Sequence, residues 1–324
     1  MSFPFRQALV TGGAGFIGSH LAEELLASGC RVVVLDNLAS GNLENLEHIK
    51  NDIRFERGDI RDLPTVEKAS RGCEVIFHLA AMVSVPQTVE QPVESALINE
   101  LGTLHVFEAA RKNGAGSIVF ASSSAVYGDD PDEPTKHEAL RPNPLSPYAA
   151  QKITGEYYAH IYNNLYGLKA VCLRLFNVFG PRQDPSSPYS GVISIFMSKA
   201  ACSESPTIYG DGTQCRDFIY VKDVVQANLL AAASPAAAGQ SLNVATGQSV
   251  TINQLWDRIR KMGGLKIDPL HAPPRPGDIH ASVADNTRAE SQMGFSPHYS
   301  LQEGLEHTYK WFRESRRAQA AIED

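Results

Sequence analysis

Residues 7–21 read QALVTGGAGFIGSHL, an apolar run, a glycine-rich turn and the opening of an amphipathic repeat. Gln7 to Thr11 has strand character, and beyond the glycines Ile17, Leu21 and Leu25 recur at four-residue steps, the period of a helix. Gly12, Gly15 and Gly18 stand three apart, a GxxGxxG spacing in place of GxGxxG. A glycine turn between a strand and a helix lets backbone N–H groups and the helix N-terminus approach a pyrophosphate, so the stretch predicts a dinucleotide site.

The next strand, Arg31 to Leu35, ends in Asp36, eighteen residues past Gly18. A carboxylate there accepts hydrogen bonds from both hydroxyls of an adenosine ribose and repels a 2′-phosphate, which favours NAD over NADP. Asp-Asn is also ordinary turn chemistry; the glycine turn upstream tips the reading toward the ribose. Strand-like runs at Ile53 to Glu56, Val75 to Leu79, Ser117 to Ala121 and Ala170 to Leu175 follow, with helical stretches between them. That alternation predicts an α/β chain with a Rossmann-like, doubly wound parallel sheet. The sheet domain is expected over residues 1–176, with returns from about 223–245. After Leu175 irregular stretches such as GPRQDPSSPYSG and HAPPRPGD interrupt helices at Val224 to Ala233 and Ile252 to Met262. Residues 177–324 therefore read mainly as a smaller, interleaved substrate-binding lobe.

Composition fits a globular enzyme: 43% of the 324 residues are hydrophobic and 20% charged. The net charge of −7 argues against nucleic acid as a partner. No apolar run approaches the ~20 residues that cross a bilayer, and the first ten residues lack a signal peptide's apolar region, so a cytoplasmic protein without a membrane partner is expected. The five cysteines, at 30, 73, 172, 202 and 215, are scattered without CxxC spacing. They read as thiols of a reducing compartment, with no metal site.

Tyr148 and Lys152 in SPYAAQK stand four apart, one turn of a helix, after the serine run Ser122, Ser123, Ser124. A phenol titrates near pH 10, so it serves as a base at neutral pH only where a cation stabilises the phenolate; Lys152 is the candidate cation. Such pairs also occur on solvated helices, and the dinucleotide turn upstream is what favours catalysis here.

Taken together, TGGAGFIGSHL, Asp36, GDIRD at 58–62, HLAA at 78–81, SSSAVYG at 122–128, YAAQK and RLFNVFGPRQ at 174–183 resemble the extended short-chain dehydrogenase/reductase family. Within it the chain is most similar to the UDP-sugar 4-epimerases, and the likeness covers nearly its whole length. The resemblance implies a catalytic set of Ser123, Tyr148 and Lys152, with Ser123 placed by counting back four from Tyr127; Ser122 and Ser124 flank it. It implies that NAD is held by Gly12, Gly15, Phe16, Ile17, Gly18, Asp36 and Asn37. Asp59, Ile60, Leu79, Ala80, Ala81 and Asn99, together with Tyr148 and Lys152, complete that set. Tyr148 would take the proton of the sugar 4-hydroxyl while C4 gives hydride to the nicotinamide; Ser123 would share the proton, and Lys152 would hold the nicotinamide ribose and depress the tyrosine pKa. The 4-keto sugar would turn over and receive the hydride on its other face.

For the UDP-sugar the resemblance implies contacts from Ser84, Ser123, Ser124, Tyr148 and Asn177. Arg216 and Arg275 would neutralise the diphosphate and Asp278 would meet the uridine ribose. Val192, Phe196 and Tyr209 would flank uracil and ribose, although apolar residues at 192 and 196 equally suit a core helix. Dehydratases and decarboxylases of the family carry an acidic group just after the serine, where this chain has Ser124 and Ala125, so elimination lacks its acid. A small residue, Ser282, stands where a bulky tyrosine excludes N-acetyl groups. The expected reaction is interconversion of UDP-N-acetylglucosamine and UDP-N-acetylgalactosamine, with UDP-glucose and UDP-galactose as an additional pair. A UDP-glucuronate 4-epimerase is the rival, its carboxylate met by Ser84, Thr88, Ser186 and Ser187; a non-catalytic dinucleotide sensor is the reading from another class, disfavoured by the Tyr148 and Lys152 pair. Relatives pair two helices into homodimers, for which 92–113 and 147–166 are the candidates. Leu101, Leu104 and Phe107, or Tyr158, Ile161 and Tyr162, would supply the contacts or face their own sheet.

Overall fold

The strands Ala8–Val10, Val32–Leu35 and Val75–Phe77 are buried on both faces, the pattern of a parallel sheet covered by helices on each side. The computed structural model describes residues 3–130, 132–185, 191–274 and 281–323, with side chains up to residue 314. Its first half runs β1 (Gln7–Thr11), α1 (Phe16–Ala27), β2 (Arg31–Asp36), β3 (Ile53–Arg57), α2 (Leu63–Ser70), β4 (Val75–His78), α3 (Val85–Glu90), α4 (Pro92–Ala96), α5 (Thr103–Asn113) and β5 (Ser117–Ser123). A π turn, Leu97–Gly102, joins α4 to α5. There follow β6 (Thr135–Lys136), α6 (Pro147–Tyr166), β7 (Lys169–Leu175), β8 (Asn177–Phe179), α7 (Val192–Ala201), β9 (Thr207–Tyr209), β10 (Cys215–Arg216) and β11 (Phe218–Tyr220). The chain ends with α8 (Val221–Ala233), β12 (Ser241–Val244), β13 (Val250–Thr251), α9 (Ile252–Met262), β14 (Leu270–Ala272), β15 (Ala281–Ala284), α10 (Thr287–Met293) and α11 (Leu301–Glu323).

Seven strands form one parallel sheet in the order β12-β7-β5-β4-β1-β2-β3. The order reverses between β1 and β4, so a crevice opens beyond their carboxyl ends, where open α/β sheets bind ligands. Register fixes the two faces: Leu9 lies beside Val33 and Ile76, Val10 beside Val34 and Phe77. The first set packs with Phe107 and Tyr162, the second with Leu25 and Val224. β5 extends two residues past the expected Ala121 because its ladder to β7 continues to the Ser123 and Leu175 pair. α8 begins at Val221, ahead of the expected Val224, and places Asp223 in its first turn, where the carboxylate accepts from the His298 backbone at 2.8 Å.

The remaining strands form a sheet in the order β13-β10-β15-β6 and two strand pairs, β11 with β8 and β14 with β9. A separate core supports them, in which Phe196 meets Trp256 edge-on at 5.6 Å.

Candidate active site

The parallel sheet delivers Gly12, Asp36, Leu79 and Ser123 to one edge, each at or just past the end of its strand. Gly12 has φ +69, and a Cβ there would lie 2.8 Å from the Ala80 nitrogen. At Gly18 a Cβ would lie 2.2 Å from the Gly12 carbonyl oxygen, so α1 packs against the turn through bare backbone. Gly15 caps α1 without a side chain, which leaves the amides of the first helical turn, including Phe16 and Ile17, directed outward. The Asp36 carboxylate is buried and accepts from Ala14 N at 2.9 Å and Leu38 N at 2.8 Å; burial raises its pKa and these bonds oppose the rise. A glycine cradle at a helix start with a carboxylate one strand away fits the diphosphate and ribose of a dinucleotide.

Next to this cradle, Asn37 donates to Asp59 at 2.9 Å, and Arg61 grips the same carboxylate through Nε and Nη2 at 3.0 and 2.8 Å, holding its pKa down at about 2. Ile60 is buried against Gly102. Leu79 N and Ala80 N are fixed by the carbonyl and hydroxyl of Thr11 at 3.2 and 3.3 Å. Asn99, in the π turn, accepts from Met82 N at 2.8 Å and donates to Met82 O at 3.0 Å and to Gln151 at 2.7 Å. Its amide thus fastens the segment after Ala81 to α6. Beneath it the buried His78 bridges Thr11 and Thr103 at 2.8 and 3.0 Å, and burial lowers its pKa to about 3.

Tyr148 lies in the first turn of α6, behind the N-cap Ser146 and Pro147. Its hydroxyl faces that of Ser123, which accepts from Ala125 N at 3.1 Å. Ser122 instead donates to Glu156 at 2.6 Å, and Ser124 opens the 3-10 turn Ser124–Tyr127. Of the three serines, Ser123 is the one whose hydroxyl acts on the tyrosine, lowering its pKa against the effect of burial. Lys152 is 4% exposed and donates to the Ala121 carbonyl at 2.7 Å, with its ammonium 5.6 Å from the centre of the Tyr148 ring.

One expectation is corrected here. Burial pushes the Tyr148 phenol up to about 12, and the neighbouring Ser123 hydroxyl offsets only part of the rise. Burial brings Lys152 down to about 8. The amine points at the ring and the Ala121 carbonyl, so among the protein's own groups desolvation outweighs any depression of the tyrosine by Lys152.

In the second lobe Asp217, which sequence reasoning overlooked, gathers three of the candidate residues. Its carbonyl accepts from Asn177 N and Nδ2 at 3.2 and 2.9 Å, its amide donates to Ser282 O at 2.9 Å, and Arg216 precedes it. The buried carboxylate accepts from Thr246 N and Oγ1, Gly247 N and Ala284 N at 2.7 to 3.3 Å. An acid directly after a candidate phosphate-binding arginine was the available signal. Arg216 and Ser282 are register partners on β10 and β15. Val192 opens α7, Tyr209 is partly exposed at the end of β9, and Ser84 caps α3 by accepting from Gln87 N at 3.3 Å. Phe196 is 1% exposed and packs edge-on against Trp256 on the inward face of α7, the core-helix alternative of the two readings. Arg275, Asp278, Ser186 and Ser187 lie outside the described residues.

A profile for the NAD dependent epimerase/dehydratase family matches residues 8–245. The chain belongs to this family. A UDP-glucose 4-epimerase of Mycolicibacterium smegmatis is 43% identical over 95% of this chain and 98% of its own. Among solved structures, a UDP-N-acetylglucosamine 4-epimerase from Methanobrevibacter ruminantium, in complex with UDP-N-acetylmuramic acid, is 42% identical with a TM-score of 0.91, covering 96% of this chain and 99% of its own. A UDP-glucose 4-epimerase of Thermus thermophilus in complex with NAD is 41% identical with a TM-score of 0.86, covering 95% and 99%. The family's cofactor, NAD, is the dinucleotide that the glycine cradle and Asp36 fit. Among the described residues no helix is long and apolar enough to cross a membrane, and no cluster of His, Cys, Asp and Glu is arranged to hold a metal ion.

Proposed function

We propose that this protein is an NAD-dependent UDP-sugar 4-epimerase whose preferred pair is UDP-N-acetylglucosamine and UDP-N-acetylgalactosamine, with UDP-glucose and UDP-galactose as a second pair. The observation that carries the reaction is the juxtaposition of Tyr148 and Ser123 at the carboxyl end of β5, with the buried Lys152 one turn further along α6. Bound NAD supplies a reversible hydride acceptor at C4. Tyr148 takes the proton from the 4-hydroxyl as the sugar is oxidised and returns it when the 4-keto sugar is reduced on its other face. Ser123 holds the same oxygen through both halves; Tyr148 accepts the proton only as phenolate, a form that the positive charge of a bound nicotinamide ring would favour in this buried site. Lys152 and Asn99 would hold the nicotinamide end of the cofactor, while Gly12, Gly15, Gly18 and Asp36 would hold the diphosphate and adenosine ribose. Ala125 leaves this position of the site without an acid for elimination.

On the sugar side, Asn177 and Arg216 meet the diphosphate. Ser282, a small residue in register with Arg216 on the neighbouring strand, supports the acetylated pair. The Methanobrevibacter relative, a UDP-N-acetylglucosamine 4-epimerase, supports the same choice. The glucuronate reading has less support: Thr88 is fully buried with its hydroxyl bonded to Val85 O at 2.7 Å, and Ser84 serves as a helix cap.

The protein acts as a homodimer in this reading, and the structure changes which residues support it. Phe107 and Tyr162 pack against the sheet. The outward stripes are Val93, Leu97 and Leu101 on the helix through the π turn, and Tyr157, Ile161 and Leu165 on α6. Two adjacent apolar stripes suit a helix-pairing interface.

Turnover of the acetylated, plain and glucuronate UDP-sugar pairs by purified protein tests the assignment. The acetylated pair should react fastest, Ser282→Tyr should lose it selectively, and Tyr148→Phe should abolish turnover of every pair while UDP and NAD still bind. Equal loss on acetylated and plain substrates in Ser282→Tyr would refute the gatekeeper; undiminished turnover in Tyr148→Phe would refute the mechanism.

A further inference from the structure

Three successive residues at the end of β5 are stitched to three successive turns of α6. Tyr148 faces Ser123, Lys152 donates to the Ala121 carbonyl at 2.7 Å, and Glu156 accepts from Ser122 at 2.6 Å. The first two contacts belong to the catalytic arrangement. The third is unexplained by it, since Glu156 lies two turns away from Tyr148.

Glu156 is a buried carboxylate with a full set of partners from three strands. Arg174 of β7 grips it through Nε and Nη2 at 2.9 and 2.7 Å, and Ser241 of β12 donates to it at 2.9 Å. Ser122 and Arg174 are register partners across the β5 and β7 ladder. The guanidinium also lies 4.8 Å over the ring of Tyr127, the tyrosine that ends the turn after Ser123 and donates to Asn243 at 2.6 Å. A bidentate arginine and carboxylate pair has a fixed planar geometry, so it sets both the height and the rotation of the helix relative to the strands it joins. Sliding α6 along β5 would break the Glu156, Lys152 and Tyr148 contacts together.

We infer that Glu156, held by Arg174 and acting through Ser122, is a positioning residue for the reaction: it fixes the helix that carries Tyr148 against the strand end that carries Ser123. The inference rests on the roles proposed above for Tyr148 and Ser123. It assigns the two hydroxyls on Glu156 different weights. Ser122 adjoins Ser123, whereas Ser241 lies on the edge strand and touches neither reacting group. A carboxylate that served only to satisfy Arg174 would treat the two alike.

The test removes one hydroxyl at a time from the same carboxylate. Ser122→Ala should lower kcat about tenfold or more, the cost of a small misalignment of reacting groups, with KM within about twofold. Ser241→Ala should leave kcat within about twofold of the parent at a similar loss of thermal midpoint. Because Glu156→Gln leaves Arg174 poorly matched and is apt to impair folding, the serine pair carries the test. A readout independent of turnover uses ¹³Cζ-labelled tyrosine, with the Tyr148 resonance assigned by its loss in Tyr148→Phe. That resonance should shift in Ser122→Ala and stay in place in Ser241→Ala. Equal effects of the two variants on kcat and on the resonance would overturn the inference. An inactive parent protein whose resonance still responds to Ser122 alone would instead sink the proposed reaction and leave the positioning contact standing.

Discussion

Gly18→Ala is the sharpest perturbation of the cofactor cradle that the structure offers. The added methyl would sit 2.2 Å from the Gly12 carbonyl oxygen, 2.7 Å from Gly13 Cα and 2.9 Å from Gly12 C, all backbone atoms with no rotamer to change. Restoring ordinary contact requires α1 and the turn to part by roughly 1 Å, an overpacking strain of about 1–3 kcal/mol. For a chain of this size that lowers the thermal midpoint by about 2–5 °C. The same movement draws the helix amides away from a bound diphosphate, and loss of one charge-assisted hydrogen bond of about 1.5–3 kcal/mol weakens NAD about tenfold to a hundredfold. Isothermal titration with NAD measures the effect directly. Gly29→Ala is the control: its φ is +80 and a Cβ there meets nothing within 4 Å, so it carries a backbone strain of roughly 1–2 kcal/mol far from the cradle. NAD affinity in Gly18→Ala within twofold of the parent, or an equal loss in Gly29→Ala, would refute the reasoning.

Two further outcomes are expected. Replacing Leu97 and Ile161 with glutamate places charges on both outward stripes and should convert a dimer into monomer in sedimentation velocity, with each monomer still folded; a double variant that stays dimeric places the interface elsewhere. His78 has its pKa lowered from 6.5 to about 3 by burial, so between those values the unfolded chain takes up a proton that the folded protein refuses. Stability tied to this group is complete above pH 6.5 and declines as the pH falls toward 3, by about 1.4 kcal/mol per pH unit. His20 is lowered in the same direction by its own burial, so the measurement is the difference between the parent and His78→Gln in chemical unfolding from pH 7 to pH 4.5. Parallel pH profiles for the two proteins would show that His78 is not the group responsible.

What the sequence disclosed and what it withheld follow from the range of the forces involved. The turn from Thr11 to Gly18, Asp36 at the end of its strand and the Tyr148 and Lys152 pair are local patterns, legible because glycine, strand and helix periods act over a few residues. Ser123 could be separated from Ser122 only by resemblance; the structure adds a physical reason, since Ser122 is taken by a carboxylate 34 residues away. Long-range pairing of this sort leaves no local trace, and the Glu156 and Arg174 ion pair was invisible for that reason. The helices at 92–113 and 147–166 show the complementary failure. Both of their faces carry apolar residues, so periodicity identifies a helix without saying which stripe meets the sheet, and Phe107 and Tyr162 turned inward while Leu97 and Leu165 turned out. The tyrosine pKa was misjudged from the same cause. A cation one turn away lowers it on a solvated helix, but burial of both groups reverses the balance, and burial depends on everything that folds over them.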